Sequence, residues 1–271
     1  VRILLCINGS EQAQIAACYG VKLARVLESE VTVLGVMERA ELVMRVDKAA
    51  GEVRSLLKEE GIPFQTVTRR GRAQAELVRQ TREKRYDLVV VGSLGRAWWS
   101  RFLRGPTWRH ILRAVESSVL IVKVKRPFSL KRALVCSGGL SHADEVTRFG
   151  GKILQMAGAR ATLLHVVDPL TMGYLAHKKR ISLEEFAGIG IPQSRHFFIE
   201  YDVLRGMGIE VGMKLRHGFA TEEILQEIGE GGYDLVVMGS TQVARGLRHY
   251  FVGSITDKVV ENAPCPVLVV R

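Results

Sequence analysis

The chain has 271 residues, 47% hydrophobic and 25% charged, which provides core for one large domain or two of ordinary size. No apolar run approaches the roughly 18 residues of a membrane helix, and no basic-then-apolar leader opens the chain, so neither a span nor a secretory signal is expected. Net charge is +11. Residues 1–130 hold 23 Lys+Arg against 13 Asp+Glu, and residues 131–271 hold 16 against 15, so the excess belongs to the first half. That favours an anionic partner there or a solvated basic face.

Ile3–Ser10 is an apolar run entering a Gly turn, read as a strand buried on both faces. A helix is expected over Glu11–Leu27, a second strand over Val31–Val36, a helix near Ala40–Glu60 and a third strand over Phe64–Thr68. Gly71–Leu77 reads as a loop into a helix. Tyr86-Asp-Leu-Val-Val-Val-Gly-Ser93 is a fourth strand stopping at a sharp turn, and Val119–Val124 a fifth. Pro127 breaks the pattern, and the boundary is drawn between 1–127 and 128–271.

The second half repeats the first. Ala133–Leu140 again reads as a strand into Gly, followed by a helix over His142–Ala157 and a strand over Ala161–Val166. Residues Thr171–Pro192 carry an insertion, read as a surface excursion or cap, with a lid over a ligand as the alternative. The pattern resumes with Glu210–Leu215, Gly218–Ile224, and Tyr233-Asp-Leu-Val-Val-Met-Gly-Ser240, which lies 147 positions after its counterpart. Val267–Val270 closes the chain. Alternating strands and helices give an α/β fold with two tandem, Rossmann-like, five-stranded parallel sheets. Val119–Val124 and Val267–Val270 would be apolar sheet edges, and pairing them would remove that liability and make an intramolecular pseudo-dimer.

The fourth strand of the first half runs into Gly92-Ser-Leu-Gly95 and then Gly105-Pro-Thr107. Its counterpart runs into Gly239-Ser-Thr-Gln242 and then Gly253-Ser254-Ile255. Such loops suit phosphates. Gly leaves room beside the backbone, amide groups form an anion nest, and the next helix presents its N-terminus. Arg96, Arg101 and Arg104, or Arg245 and Arg248, add charge.

With Ile3–Ser10, Thr162–Val167, Gly92-x2-Gly95-x9-Gly105 and Ala263–Val270, nearly the whole chain resembles the universal stress protein family as two tandem domains. The resemblance implies a Rossmann-like fold of the HUP type and a cytoplasmic stress protein. It also implies dimerisation through the last strand, here within the chain and possible again between chains, and an unidentified protein partner. The ligand implied is ATP or AMP, ATP with Mg, and no structural metal. Base and ribose contacts fall at Asn8, Gly9, Ser137 and Gly138, and at Val36 and Val166. Phosphate contacts fall beside Val91, Gly92, Gly95, Arg96, Gly105 and Thr107, or Met238, Gly239, Gln242, Gly253, Ser254 and Ile255. ATP binders of the family carry Asp where this reading places Asn8 and Ser137. Pro106 lacks the N–H of the usual Ser, and Gln242 replaces a Gly. These departures leave a choice between the halves, with the first preferred, and a non-binding interaction scaffold as the alternative.

Two further readings stay open. Val135–His142 resembles the SGGxDS loop of ATP pyrophosphatases, with Ser141 and His142 off the pattern. Arg96–Arg104 interleaves Arg with Trp98, Trp99 and Phe102, as in single-strand nucleic-acid binders. Packing of those rings onto the protein body is the simpler account. The four cysteines lack CxxC spacing, which suits a reducing cytoplasm. The histidines lack metal-ligand spacing, and His165 is read as a satisfied core residue. Glu222-Glu223 and similar adjacent pairs are read as solvated. No catalytic residue is assigned, and slow ATP hydrolysis is the most that is expected.

Overall fold

The computed structural model describes residues 1–92, 107–123, 127–138, 143–168, 180–240 and 255–271. They form two compact units, Val1–Phe128 and Ser129–Arg271.

The first unit runs β1 (Arg2–Ile7), α1 (Glu11–Val26), β2 (Glu30–Met37), a 3-10 turn (Ala40–Leu42), α2 (Val43–Glu59), β3 (Phe64–Arg70), α3 (Ala73–Glu83), β4 (Leu88–Gly92), α4 (Thr107–Ala114) and β5 (Ser118–Val122). Its strands are parallel and lie in the order β3-β2-β1-β4-β5. Ile3, Leu4, Leu5 and Ile7 are each fully buried, so β1 is covered on both faces by the crossover helices. Each such side chain contributes roughly 1.5–3 kcal/mol. Helix α1 starts where Ser10 Oγ accepts from Ala13 N at 3.2 Å, with Glu11 in its first turn.

The second unit runs β6 (Arg132–Cys136), α5 (Ala143–Met156), β7 (Arg160–Val167), α6 (Leu183–Ile189), α7 (Pro192–Gly206), β8 (Val211–His217), α8 (Ala220–Gly231), β9 (Leu235–Gly239), α9 (Ile255–Asn262) and β10 (Val267–Val270). Its strand order is β8-β7-β6-β9-β10, again parallel, so the repeat read in the sequence is a repeat of topology.

Hydrogen-bond register fixes how the repeats correspond. Cys6 pairs with Leu34, and Cys136 with Leu164, an offset of 130 on both strands. Helices α1 and α5 keep that offset. A Cβ on Gly20 would meet Leu5 Cδ2 at 2.4 Å, and one on Gly150 would meet Val237 Cγ1 at 2.6 Å. Beyond the insertion the offset is 147. Ile62 N bonds Leu57 O at 2.9 Å, as Ile209 N bonds Leu204 O at 3.3 Å, past left-handed Gly61 and Gly208. The added residues therefore precede α7 and include α6. Residues 169–179 of this segment lie outside the described residues. The rest fits a cap and not a surface excursion, because Phe186 on α6 is 1% exposed and sits in the core.

The repeated Tyr-Asp motif is structural. Asp87 accepts from Arg2 N at 2.7 Å and Asp234 from Lys131 N at 2.8 Å, which ties each fourth strand to the start of its first. Tyr86 accepts from Gln80 Nε2 at 2.9 Å, and Gln80 Oε1 accepts from Arg69 Nη2 at 2.9 Å. In the second unit Glu227 replaces Gln80. It accepts from Tyr233 at 2.7 Å and Arg216 Nε at 2.7 Å, and pairs with Lys214 at 2.6 Å. Glu223 is not simply solvated, since it pairs with Arg216 at 3.2 Å.

Candidate functional site

Strand β1 lies between β2 and β4, so the chain reverses its direction of winding there. Ligands of open parallel sheets bind outside the carboxyl ends of the strands at such a switch point. In the first unit the ends of β1, β2 and β4 bring Asn8, Gly9, Val36 and Gly92 to this edge.

Asn8 is 7% exposed, and its Oδ1 accepts from Ser10 N at 3.2 Å and Ser10 Oγ at 2.7 Å. This local turn holds the side chain beside the N-terminus of α1. Gly9 has φ +76°, and a Cβ there would stand 3.2 Å from Arg45 Cβ, so the start of α2 closes over the turn. Val36 and Val91 are buried and offer apolar walls. Glu38 follows β2 and accepts from Ala73 N at 2.8 Å, holding the start of α3. Burial, with Glu38 second, pushes the Cys6 thiol up to about 12, so it is no nucleophile.

Gly92 has a cause other than a ligand. A Cβ there would lie 2.3 Å from Gln12 O and 2.9 Å from Ala13 N, so the first turn of α1 requires the glycine. Gly239 is less crowded, with Val146 Cγ2 at 3.1 Å. Gly95, Arg96, Gly105, Gln242, Gly253 and Ser254 lie outside the described residues, as do Ser141, His142 and Trp98 to Phe102. Thr107 opens α4 and Ile255 opens α9.

The second unit departs from the first at this edge. The glycine spacing of the sequence sets Ser137 opposite Asn8, and the register corrects this. At an offset of 130, Ser137 stands where Ile7 stands, and Gly138 where Asn8 stands. Gly138 is exposed, with nothing near the place of a Cβ. The second unit therefore has no side chain at the Asn8 position. The helices after the fourth strands differ too. Arg109, third residue of α4, lies 5.3 Å over the Trp108 ring, whereas Asp257, third residue of α9, is 6% exposed. A carboxylate in a first turn meets the helix dipole itself, and an arginine there does not. Across the same edge Arg45, Arg70 and Arg72 have Pro192, His217 and Phe219 as counterparts.

Beneath this edge the second unit has exchanged apolar core for polar groups. Ile7, Ala17, Gly35 and Val53 become Ser137, Thr147, His165 and Glu200. Ser137 Oγ, Thr147 Oγ1 and His165 Nδ1 are buried without a hydrogen-bond partner. His165 is thus a core residue, as expected, but only partly satisfied. It stacks on Phe186, centroids 5.1 Å apart, and tilts against Phe197 at 5.9 Å. Burial holds its pKa below the ordinary histidine value, opposed by a hydrogen bond with the Ser137 backbone and by Asp168. Val166 is half-buried and Met238 buried. Among the described residues no group of three or more His, Cys, Asp or Glu side chains is placed to hold a metal ion, and no helix is long and apolar enough to cross a membrane.

The sequence profile of the Universal stress protein family matches residues 1–123 and again 129–271. A universal stress protein of Synechocystis is 24% identical over 305 aligned positions, covering 99% of each chain. One from Thermus aquaticus is 34% identical over 142 residues, 52% of this chain and 98% of its own. The crystal structure of a universal stress protein from Archaeoglobus fulgidus superposes with a TM-score of 0.73 at 20% identity, over 100% of this chain and 98% of that one. With the same strand order in both units and the profile matched twice, this chain belongs to the universal stress protein family as two tandem domains.

Proposed function

We propose that the first unit binds an adenine nucleotide, ATP foremost, at the carboxyl ends of β1, β2 and β4, and that the protein acts through nucleotide-dependent conformation or association. The observation that carries this reading is the register. It leaves a hydrogen-bonding side chain, Asn8, at the switch point of the first unit and Gly138 at that of the second. In this reading the base and ribose lie against Asn8, Gly9 and the end of β2. The phosphates lie toward Gly92 and the N-terminus of α4, where Arg109 adds positive charge. Residues Gly95, Arg96, Gly105 and Thr107 join the phosphate loop as the family resemblance implies.

The second unit fits a non-binding scaffold better, because Asp257 opposes phosphate at α9 and Gly138 offers no contact. Ser137, Val166, Met238, Gly239, Gln242, Gly253, Ser254 and Ile255 are then not ligand contacts. Mg would arrive with ATP.

The test is thermal unfolding with ATP, AMP and inorganic triphosphate, joined to mass spectrometry of molecules released on denaturing the purified protein. Saturation at a hundred times Kd contributes about 2.7 kcal/mol, a shift of a few degrees. No released nucleotide and no shift with any of the three would reject nucleotide binding and leave the scaffold.

A further inference from the structure

The insertion that distinguishes the second unit rests on two histidines. Ile181 N–H donates to His217 Nε2 at 3.1 Å. Five residues on, Phe186 stacks on His165. Between them Ser182 and Glu185 form a capping box that starts α6, and Gly190 ends it in the left-handed conformation. The segment is a short rigid piece held at two points.

The first holding point needs a neutral imidazole, and burial favours one at the second. An imidazolium has no acceptor nitrogen, so protonated His217 cannot take the Ile181 hydrogen bond. His165 is 8% exposed under Phe186 and Phe197, so a proton there puts a charge into an apolar clamp. The first unit has neither contact. Gly35 stands at the place of His165 and Arg70 at that of His217, and no inserted helix covers them.

We propose that Ile181–Gly190 is an acid-released strap, clamped on the carboxyl end of the second sheet while His165 and His217 are neutral and let go when they take up protons. The charged groups around the histidines set the poise. Burial is the largest influence on His217 and opposes protonation, as does Arg180; Glu223 of α8 and the Ile181 backbone favour it, and the net effect holds its pKa below the ordinary value. His165 faces Asp168 at the end of β7 and the Ser137 backbone, both of which favour protonation, and has Phe186 as its neighbour on α6; Glu200 of α7 acts on Cys136 of β6. Release uncovers Phe186 and Phe197 at the edge of this unit, an apolar surface that is hidden at neutral pH.

Hydrogen exchange of the full chain from pH 7.5 to 5.5, corrected for the intrinsic pH dependence, tests this. Protection over 181–190 should fall by at least about threefold, while α2 of the first unit keeps its own. His217→Gln retains an acceptor and cannot titrate, so it should weaken the response. The proposal is overturned if protection over 181–190 is unchanged, if both units loosen together, or if His217→Gln responds as fully as the parent.

Discussion

Ser137 occupies in the second sheet the place that Ile7 occupies in the first. Ile7 is fully buried, and Ser137 Oγ is buried with no hydrogen-bond partner. An unsatisfied buried hydroxyl costs about 1–3 kcal/mol. Ser137→Ala is therefore expected to stabilise the second unit by about 1 kcal/mol in urea denaturation. A loss of stability would mean that the hydroxyl has a partner, such as an ordered water.

Gly92 carries a second expectation. The α1 backbone leaves no space for a Cβ at this position, and backbone cannot move as a side-chain tip can. Gly92→Ala should destabilise by about 1–3 kcal/mol whether or not ATP is present. Gly239→Ala meets a valine methyl and should cost less. Equal effects at the two sites would contradict the crowding argument.

Glu227 gives a pH dependence with a definite sign. Burial raises its pKa, but hydrogen bonds from Lys214, Tyr233 and Arg216 outweigh this and hold it below the ordinary glutamate value. A lowered folded pKa means that its stability is fully present above the unfolded value of 4.5 and is lost as pH falls through the folded one. Glu227→Gln, which copies Gln80 of the first unit, should destabilise at pH 7 by about 1–3 kcal/mol. Parent and variant should converge as pH falls through the folded pKa of Glu227. Denaturant midpoints across pH 3–7 measure this, and parallel curves would contradict it.

The fold was legible because the strands are unbroken apolar runs between helical patterns. Tyr86–Gly92 and Tyr233–Gly239 announce the repeat directly. The exact match of the two first strands was harder to read. The first half has one glycine after Asn8, and the second has Gly138-Gly139, so a glycine-anchored comparison slides by one residue and sets Ser137 opposite Asn8. The pairing of Cys136 with Leu164 removes the ambiguity. Gly92 shows a related limit, since sequence alone does not separate room for a phosphate from room for a helix. Phe186 was hidden by its neighbours, because one aromatic after Glu184-Glu185 and close to a basic run looks like surface. The Arg-Gln/Glu-Tyr node was within reach. Arg69, Gln80 and Tyr86 recur at one spacing as Arg216, Glu227 and Tyr233.

The asymmetry of the two units at their sheet edges is tested most directly by calorimetric titration of the full chain with ATP. One site per chain is expected, weakened about tenfold by Asn8→Ala, the loss of one good hydrogen bond, and unchanged by Ser137→Ala. Asn8→Asp keeps the acceptor for Ser10 and checks that the turn still folds. Two equivalent sites, or a single site indifferent to Asn8→Ala and abolished by substitution in the second unit, would contradict the account.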